Sequence, residues 1–489
     1  MMSTDLIYRS ATELAALIRA REVSSRELTD AYIDRIEAHD AAINAVVVRR
    51  FDAARAEADA ADAALARGDE AGPLHGIPMT IKESYVLADT PSTWGIESQR
   101  ANVSPSDGLS VRRFRAAGAH FLGKTNVPKD LADFQSYNAI YGTTNNPWDT
   151  GRTPGGSSGG SAAALAAGFS ALEAGSDIGG SIRTPAAFCG VFGHKPTWGI
   201  VPLAGHELFP GVPDADVSVC GPLARSAADL HTALDIMAGP VEREALGWQL
   251  KLAPAGIDSL RGLRVALWPT DELAPVAREI EARVLAIGEK LEAEGAIVST
   301  TARPDVDVRK AHIVYASLMQ ATMASAAPAE ELAHWQRVAD ELGPEDDSSL
   351  AVNARAAVMS HRDWLRHNFR RAKLQRAWDA FFDDWDVLIC PQQIAPAFPH
   401  DQRPWSERTL DVDGEARDYG SGIFWSGLAN GASLPSTAFP AGTTDSGLPI
   451  GLQATCRSYF DHRAIRCAGL ISDLCGGFTP PPALAGAGT

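Results

Sequence analysis

The sequence is poor in the features that tie a chain to metals, membranes or nucleic acids. Its six cysteines, at 189, 220, 390, 456, 467 and 475, are scattered through 489 residues with no C-x-x-C pair. That spacing argues against a disulfide framework, a zinc ribbon or a redox motif, and for reduced thiols in a cytoplasmic chain. His75, His194 and His206 have no ligand spacing among them, so no metal is expected, and nothing implies a cofactor. With 44 Lys and Arg against 61 Asp and Glu the formal charge is −17, and no basic cluster is long enough to track phosphates, which argues against nucleic acid as a partner. The longest run of small apolar residues, 161–175, is short of the ~20 needed to cross a bilayer and contains Glu173, so no membrane association is expected. The first 22 residues lack a basic segment followed by an apolar one, so no signal peptide is expected either.

Glycine and serine are present in force at one place. Gly155-Gly156-Ser157-Ser158-Gly159-Gly160-Ser161 and Asp177-Ile178-Gly179-Gly180-Ser181-Ile182-Arg183 flank the small-chained run 162–167, which reads as a tightly packed helix. Glycine allows close backbone approach and positive φ, so such loops can aim successive N–H groups at one oxygen while presenting a hydroxyl. Acyl transfer needs that geometry. Histidine, the usual base for a serine nucleophile, is absent from both loops. Upstream, Lys82 ends an apolar run over 74–83 that reads as a buried strand. Burial disfavours an ammonium and draws a lysine toward its neutral, basic form.

These residues resemble the amidase signature family of serine hydrolases. The two glycine-serine segments, with Ser157 and Ser181 24 residues apart (181 − 157), and the upstream Ile81-Lys82 carry the likeness. So do Gly123-Lys124-Thr125-Asn126, Asn146-Pro147-Trp148-Asp149, Gly193-His194-Lys195-Pro196-Thr197 and the stretch from Gly447 to Gln453, which together span nearly the whole chain. The resemblance implies an α/β fold with a single large mixed sheet covered by helices on both sides, the serines and Lys82 meeting at its centre. It implies Ser181 as nucleophile, Ser157 as a proton shuttle following a cis peptide bond, Lys82 as base, and backbone N–H groups of Ile178, Gly179, Gly180 and Ser181 as the oxyanion hole. The aromatic residues of the loop after Asn126 and the −17 charge favour a small neutral, apolar or aromatic amide or anilide, with a carbamate or ester also open. Phe134, Tyr137 and Ile140, in the loop after Asn126, are candidates to line its pocket. A homodimer is the one assembly allowed for. The amidase subunit of a tRNA-dependent amidotransferase belongs to the same family and is the alternative reading.

Two literal motif matches fail on context. Gly118 to Thr125 fits the phosphate-binding pattern G-x-x-x-x-G-K-[ST], but a predicted helix precedes it, and Phe121-Leu122 inside the supposed loop are apolar. Gly155 to Gly159 fits the nucleophile elbow G-x-S-x-G, for which His462 would be the base of Ser157. The elbow must follow a hydrophobic strand, whereas 149–154 is polar and turn-like.

Serines 10 and 24 or 25 cap two amphipathic helices, and an alanine-rich helix spans Phe51 to Arg67. These form an expected helical covering layer over 1–70, with the catalytic domain over 71–489. A helix is expected over 110–118 and a strand over 119–122. Strands over 263–268 and 296–299, joined by a helix over 272–294, make a βαβ unit. The charged stretch at about 312–385, carrying Trp335, Trp364, Trp378 and Trp385, reads as a helical insertion and a second candidate substrate wall. Strands over 387–391 and 436–440 return the chain to the core.

Overall fold

The computed structural model describes residues 4–209 and 211–485. Helices α1 (Ala11–Arg19) and α2 (Ser25–Ile43) each open on a capping box, Ser10 with Glu13 and Ser24 with Glu27, and distant carboxylates take the next amides, Asp229 those of Ala11 and Thr12 and Asp62 those of Ser25 and Arg26. Leu14 and Ile18, then Leu28, Tyr32 and Ile36, are buried, as their spacing predicts. Strand β1 (Val46–Arg49) follows and is not among the expected elements; four residues with a single clear apolar face give little periodicity to read. Helix α3 (Phe51–Arg67) has the predicted bounds.

Lys82 ends β2 (Pro78–Lys82), which pairs in parallel with β3 (His120–Thr125), while β1 pairs antiparallel to β3. Helix α4 (Leu109–Ala116) leads into β3, which continues three residues past the expected end at Leu122. The lysine of the phosphate-like motif is therefore in a strand. Lys124 is fully buried and donates to the Pro91 carbonyl and, at 2.8 Å, to Ser92 Oγ, leaving no open loop to cradle a phosphate.

Helix α5 (Gly159–Ala167) is buried along its whole length and leads to β4 (Glu173–Asp177). Then come α6 (Arg183–Cys189), β5 (Phe192–Lys195), β6 (Val219–Ala224) and α7 (Ala227–Met237). The βαβ unit is β7 (Arg264–Leu267), α8 (Arg278–Ala293) and β8 (Ile297–Ser299). Its helix starts six residues later than expected (278 − 272), because Pro275 lacks an N–H and disfavours helix in the residue before it. Four helices occupy the stretch expected to be helical: α9 (Val308–Met323), α10 (Ala329–Leu342), α11 (Ser349–Ala357) and α12 (His361–Asp384). The chain closes with β9 (Val387–Pro391), α13 (Ile423–Asn430), β10 (Ser436–Thr443), β11 (Pro449–Thr455) and α14 (Asp461–Asp473).

The large sheet has eight strands in the order β8-β7-β9-β11-β10-β5-β6-β4, parallel at the β8 end and antiparallel from β9 onward. One hydrophobic cluster reaches from Ile7 to Leu484, so both sheets and the N-terminal helices share a core. The mixed sheet between helices is as expected, but the placing of the site at its centre is corrected. Strand β4 is the last strand of the large sheet, and β2 belongs to the separate three-stranded sheet. Side chains bridge the gap between them: Thr80 N donates to Ser170 Oγ at 2.8 Å, Thr80 Oγ1 to Glu173 Oε1 at 2.5 Å, and Tyr85 Oη to the Gly175 carbonyl at 2.7 Å. The functional residues gather at this seam.

Packing at the seam is close enough to require glycine. A Cβ on Gly160, in the first turn of α5, would lie 2.9 Å from Asn126 Cα and closer still to its amide nitrogen. Gly160→Ala is expected to cost about 1–3 kcal/mol through overpacking, read as a lower midpoint of urea unfolding. An unchanged midpoint would show that the two backbones separate freely.

Candidate active site

Burial decides the chemistry of Lys82. Its side chain is fully enclosed, and among the described residues its Nζ meets only two hydroxyls, Ser157 Oγ at 2.7 Å and Ser176 Oγ at 2.9 Å. Desolvation, opposed by Cys220, Asp177 and Glu173, brings its pKa from 10.5 to about 7. Glu173, the nearby carboxyl on β4, is itself raised by burial to about 8, although hydrogen bonds to Thr80, Thr125 and Ser161 oppose the rise. It is thus largely uncharged at neutral pH and adds little to hold an ammonium.

The Gly156–Ser157 peptide is cis. The loop that carries it is clamped from outside by Ser136, whose Oγ donates to the Gly155 carbonyl at 3.1 Å and accepts from Gly159 N at 3.1 Å. From inside, Ser158 N donates to the Ser181 carbonyl at 3.0 Å, which sets the two serine loops side by side. Ser181 keeps 8% exposure where Ser157 has 1%, so the hydroxyl closer to solvent is Ser181.

Asp177 shapes the second loop. It accepts from Gly180 N at 2.9 Å, Ile182 N at 3.2 Å and Arg183 N at 3.4 Å, and pairs with the Arg183 guanidinium at 3.0 Å, both side chains fully buried. Burial acts to raise its pKa, but Arg183 and these donors hold it at about 2. Gly180 takes φ +102, a conformation for glycine, and a Cβ there would meet Thr184 Oγ1 at 2.8 Å and Gln392 Nε2 at 3.0 Å. Because the Gly180 N–H is directed at Asp177, the amides of Ile178, Gly179 and Ser181 are those with no protein acceptor among the described residues.

Strand alternation explains a residue that sequence reasoning missed. Ser176 and Asp177 point to opposite faces of β4, so one reaches Lys82 and the other Arg183. In the sequence the dipeptide draws attention only to its aspartate. Tyr315 and Met319 on α9 and Ile423 at the start of α13 were also missed. A Cβ on Gly179 would lie 3.3 Å from Ile423, 3.4 Å from Met319 Sδ and 3.5 Å from Tyr315 Oη, so these three border the Ser181 loop. Val217, Trp364 and Leu374 pack behind them. The signal was the apolar i, i+4 stripe of α9, which reads equally as core.

Of the other sequence candidates, Phe134 is buried against Trp405 and Tyr419, in a segment whose carbonyls abut Gly156. Tyr137 Oη donates to Asp133 Oδ2 at 3.2 Å and accepts from Arg408 at 2.8 Å. Ile140 is half-buried in a turn, its N–H on Asn138 Oδ1 at 2.9 Å. Trp378 joins the main core, Trp364 the cluster behind Met319.

His462 does not approach Ser157. It donates to Asp235 at 2.8 Å on the far side of β5, where its ring stacks on His231 with centroids 4.1 Å apart and 21° between planes. Both rings direct a nitrogen at the same carboxylate, His462 at 2.8 Å and His231 at 3.4 Å, and one ligand atom of each residue lies within 4.8 Å of the others. The elbow reading with a histidine base is thereby set aside.

A buried lysine on one serine, beside a second serine in a glycine loop with free amides, defines a serine hydrolase of the acyl-transfer class. The chain belongs to the Amidase family, whose model matches residues 27–465, and it is an enzyme that hydrolyses amides. It is 33% identical to an acylamidase of Rhodococcus erythropolis, with 96% of each chain covered. It is 32% identical to one subunit of the glutamyl-tRNA(Gln) amidotransferase of Moorella thermoacetica, over 95% of this chain and 96% of that one. The solved structure of a bacterial aryl acylamidase of the amidase signature family superposes with a TM-score of 0.80 at 25% identity, covering 99% of both chains.

Among the described residues no helix is long and apolar enough to cross a membrane. The lowered Lys82 pKa has a kinetic consequence. A lysine can accept a proton only when neutral, so with Lys82 as the base kcat/KM for an uncharged amide should rise with pH through about 7 and level off above it. A profile that falls across that range would contradict the assignment.

Proposed function

We propose that Ser181 is the nucleophile, Ser157 the proton shuttle and Lys82 the base of a hydrolase for small neutral amides, anilides and carbamates with an apolar or aromatic group. The observation that carries this reading is the 2.7 Å contact from a desolvated lysine to Ser157 Oγ. Neutral Lys82 takes the Ser157 proton as Ser157 takes that of Ser181, whose Oγ bonds to the substrate carbonyl carbon. The oxyanion is met by the amides of Ile178, Gly179 and Ser181, with Gly180 turned to Asp177. Ser157 gives its proton to the leaving nitrogen and is reprotonated by the Lys82 ammonium, the C–N bond breaks, and an ester on Ser181 remains with Lys82 neutral again. Water, deprotonated along the same relay, cleaves that ester and restores Ser181.

Substrate class follows from what borders Gly179. Met319 and Ile423, with Tyr315 buried beside them and Trp364 and Val217 behind, present apolar surface to an acyl or leaving group beside the oxyanion amides. Burying a phenyl ring there contributes about 2 kcal/mol, whereas desolvating a carboxylate without a partner costs several. The insertion thus supplies the wall, and Phe134 flanks the serine loop from the other side. The relatives named acylamidase and aryl acylamidase agree with an aryl or acyl amide.

The second reading, the amidase subunit of a tRNA-dependent amidotransferase, is favoured by the likeness to such a subunit at 32% identity. Comparing neutral anilides and aryl carbamates with glutamine and malonamate at matched concentrations separates the two. Faster turnover of the neutral substrates is expected, and faster turnover of glutamine would favour the second reading. With the preferred acyl group, Lys82→Ala should slow the anilide by at least about 100-fold more than the nitrophenyl ester, because an amine needs the relayed proton and a nitrophenolate does not. Equal losses on both would remove the relay.

A further inference from the structure

The loop that would hold the oxyanion is fixed by an element distant in sequence. At the end of β4 the Ile178 carbonyl accepts two hydrogen bonds, from Tyr315 Oη on α9 at 2.8 Å and from Asn430 Nδ2 on α13 at 3.0 Å. In a trans peptide the carbonyl and the following N–H lie in one plane and point in opposite directions. Anchoring the Ile178 oxygen on its outer side therefore aims the Gly179 N–H inward. Donors on the carbonyl also polarise that amide and strengthen its N–H as a donor in turn.

Tyr315 is built to stay in place. Its side chain is 1% exposed. A Cβ on Gly427 would come 2.5 Å from its ring and one on Gly431 3.0 Å from its Cβ, so the two glycines, one in α13 and one just past its end, form the groove that admits it. Asn430, nearly one turn beyond Gly427, also donates to Asp177 at 3.2 Å and accepts from Arg183, which joins the carbonyl anchor to the hub that turns Gly180.

We propose that Tyr315 is a positioning residue: its hydroxyl, acting through the Ile178 carbonyl, sets the direction and donor strength of the Gly179 N–H toward the tetrahedral intermediate. The inference rests on the reading of this loop as the oxyanion hole. It gives the helical insertion a part in the chemical step as well as in the substrate wall.

The test is Tyr315→Phe, which removes the hydroxyl and keeps the ring, with Ile423→Val as a variant that alters the wall without touching a partner of the hydroxyl, unlike Met319, whose Sδ lies 3.4 Å from Tyr315 Oη. For Tyr315→Phe on a neutral anilide, kcat is expected to fall about tenfold, less than the roughly 100- to 1000-fold typical of losing a direct oxyanion donor, with KM within about twofold. Affinity for an aryl trifluoromethyl ketone, which forms a tetrahedral adduct with the nucleophile, should fall by a similar factor, while that for the unfluorinated ketone stays unchanged. Ile423→Val should shift KM and leave the ratio of the two ketone affinities alone. Wild-type kcat in Tyr315→Phe, or a change in KM with the ketone ratio intact, would overturn the proposal. Ser181→Ala in parallel keeps the outcomes apart: if it retains turnover the underlying reading falls, and if it is inactive while Tyr315→Phe matches wild type only the positioning role falls.

Discussion

Withholding a counter-ion from Lys82 is the constraint on which the rest of the site depends. An ammonium in this seam would have to shed its water against two serine hydroxyls and a largely protonated Glu173. Burial therefore brings the free amine level with the ammonium near neutral pH, from a pKa of 10.5 to about 7, and a neutral lysine is what a serine needs in the absence of histidine. A carboxylate at hydrogen-bond distance would return the lysine to its usual charged state and remove the base that the proposed chemistry requires. The architecture meets this requirement by placing β2 in a sheet of its own and abutting it side-on to the last strand of the large sheet. Lys82 can then enter a seam closed by small side chains instead of lying on a solvated sheet face.

Charge is concentrated one residue away. Asp177 and Arg183 are both fully buried, and the carboxylate stays ionised because it has a guanidinium and three backbone donors. A buried ion pair of this kind adds little net stability against its desolvation cost. Here its effect is geometric: it turns the Gly180 N–H aside and shapes the tight loop at the head of α6. Strand alternation keeps the neutral and the ionised centre on opposite faces of β4, which is how two adjacent residues, Ser176 and Asp177, can serve environments of opposite polarity.

Much of this was legible in the sequence, and the reasons are local. Capping boxes and an uninterrupted alanine-rich run fix helices within a few residues, so α1, α2 and α3 could be placed closely. Lys82 could be singled out because a charge at the end of an apolar strand needs an explanation, and the two glycine-serine loops because few other backbones require such composition. What was not legible depends on contacts between distant segments. Nothing local says that β2 and β4 belong to different sheets, that Ser176 completes the shell of Lys82, or that the Gly180 amide is taken by Asp177. Tyr315 and Met319 were hidden for a different reason: a buried helical stripe has the same period whether it packs on a core or borders a substrate.

Everything in the proposed chemistry turns on which hydroxyl becomes acylated. Treating the wild-type enzyme with a fluorophosphonate and mapping the modified peptide by mass spectrometry tests this directly. The added mass should lie on Ser181, and a Ser157→Ala variant should still be labelled there at a reduced rate. Modification of Ser157 with Ser181 untouched would contradict the assignment of nucleophile and shuttle.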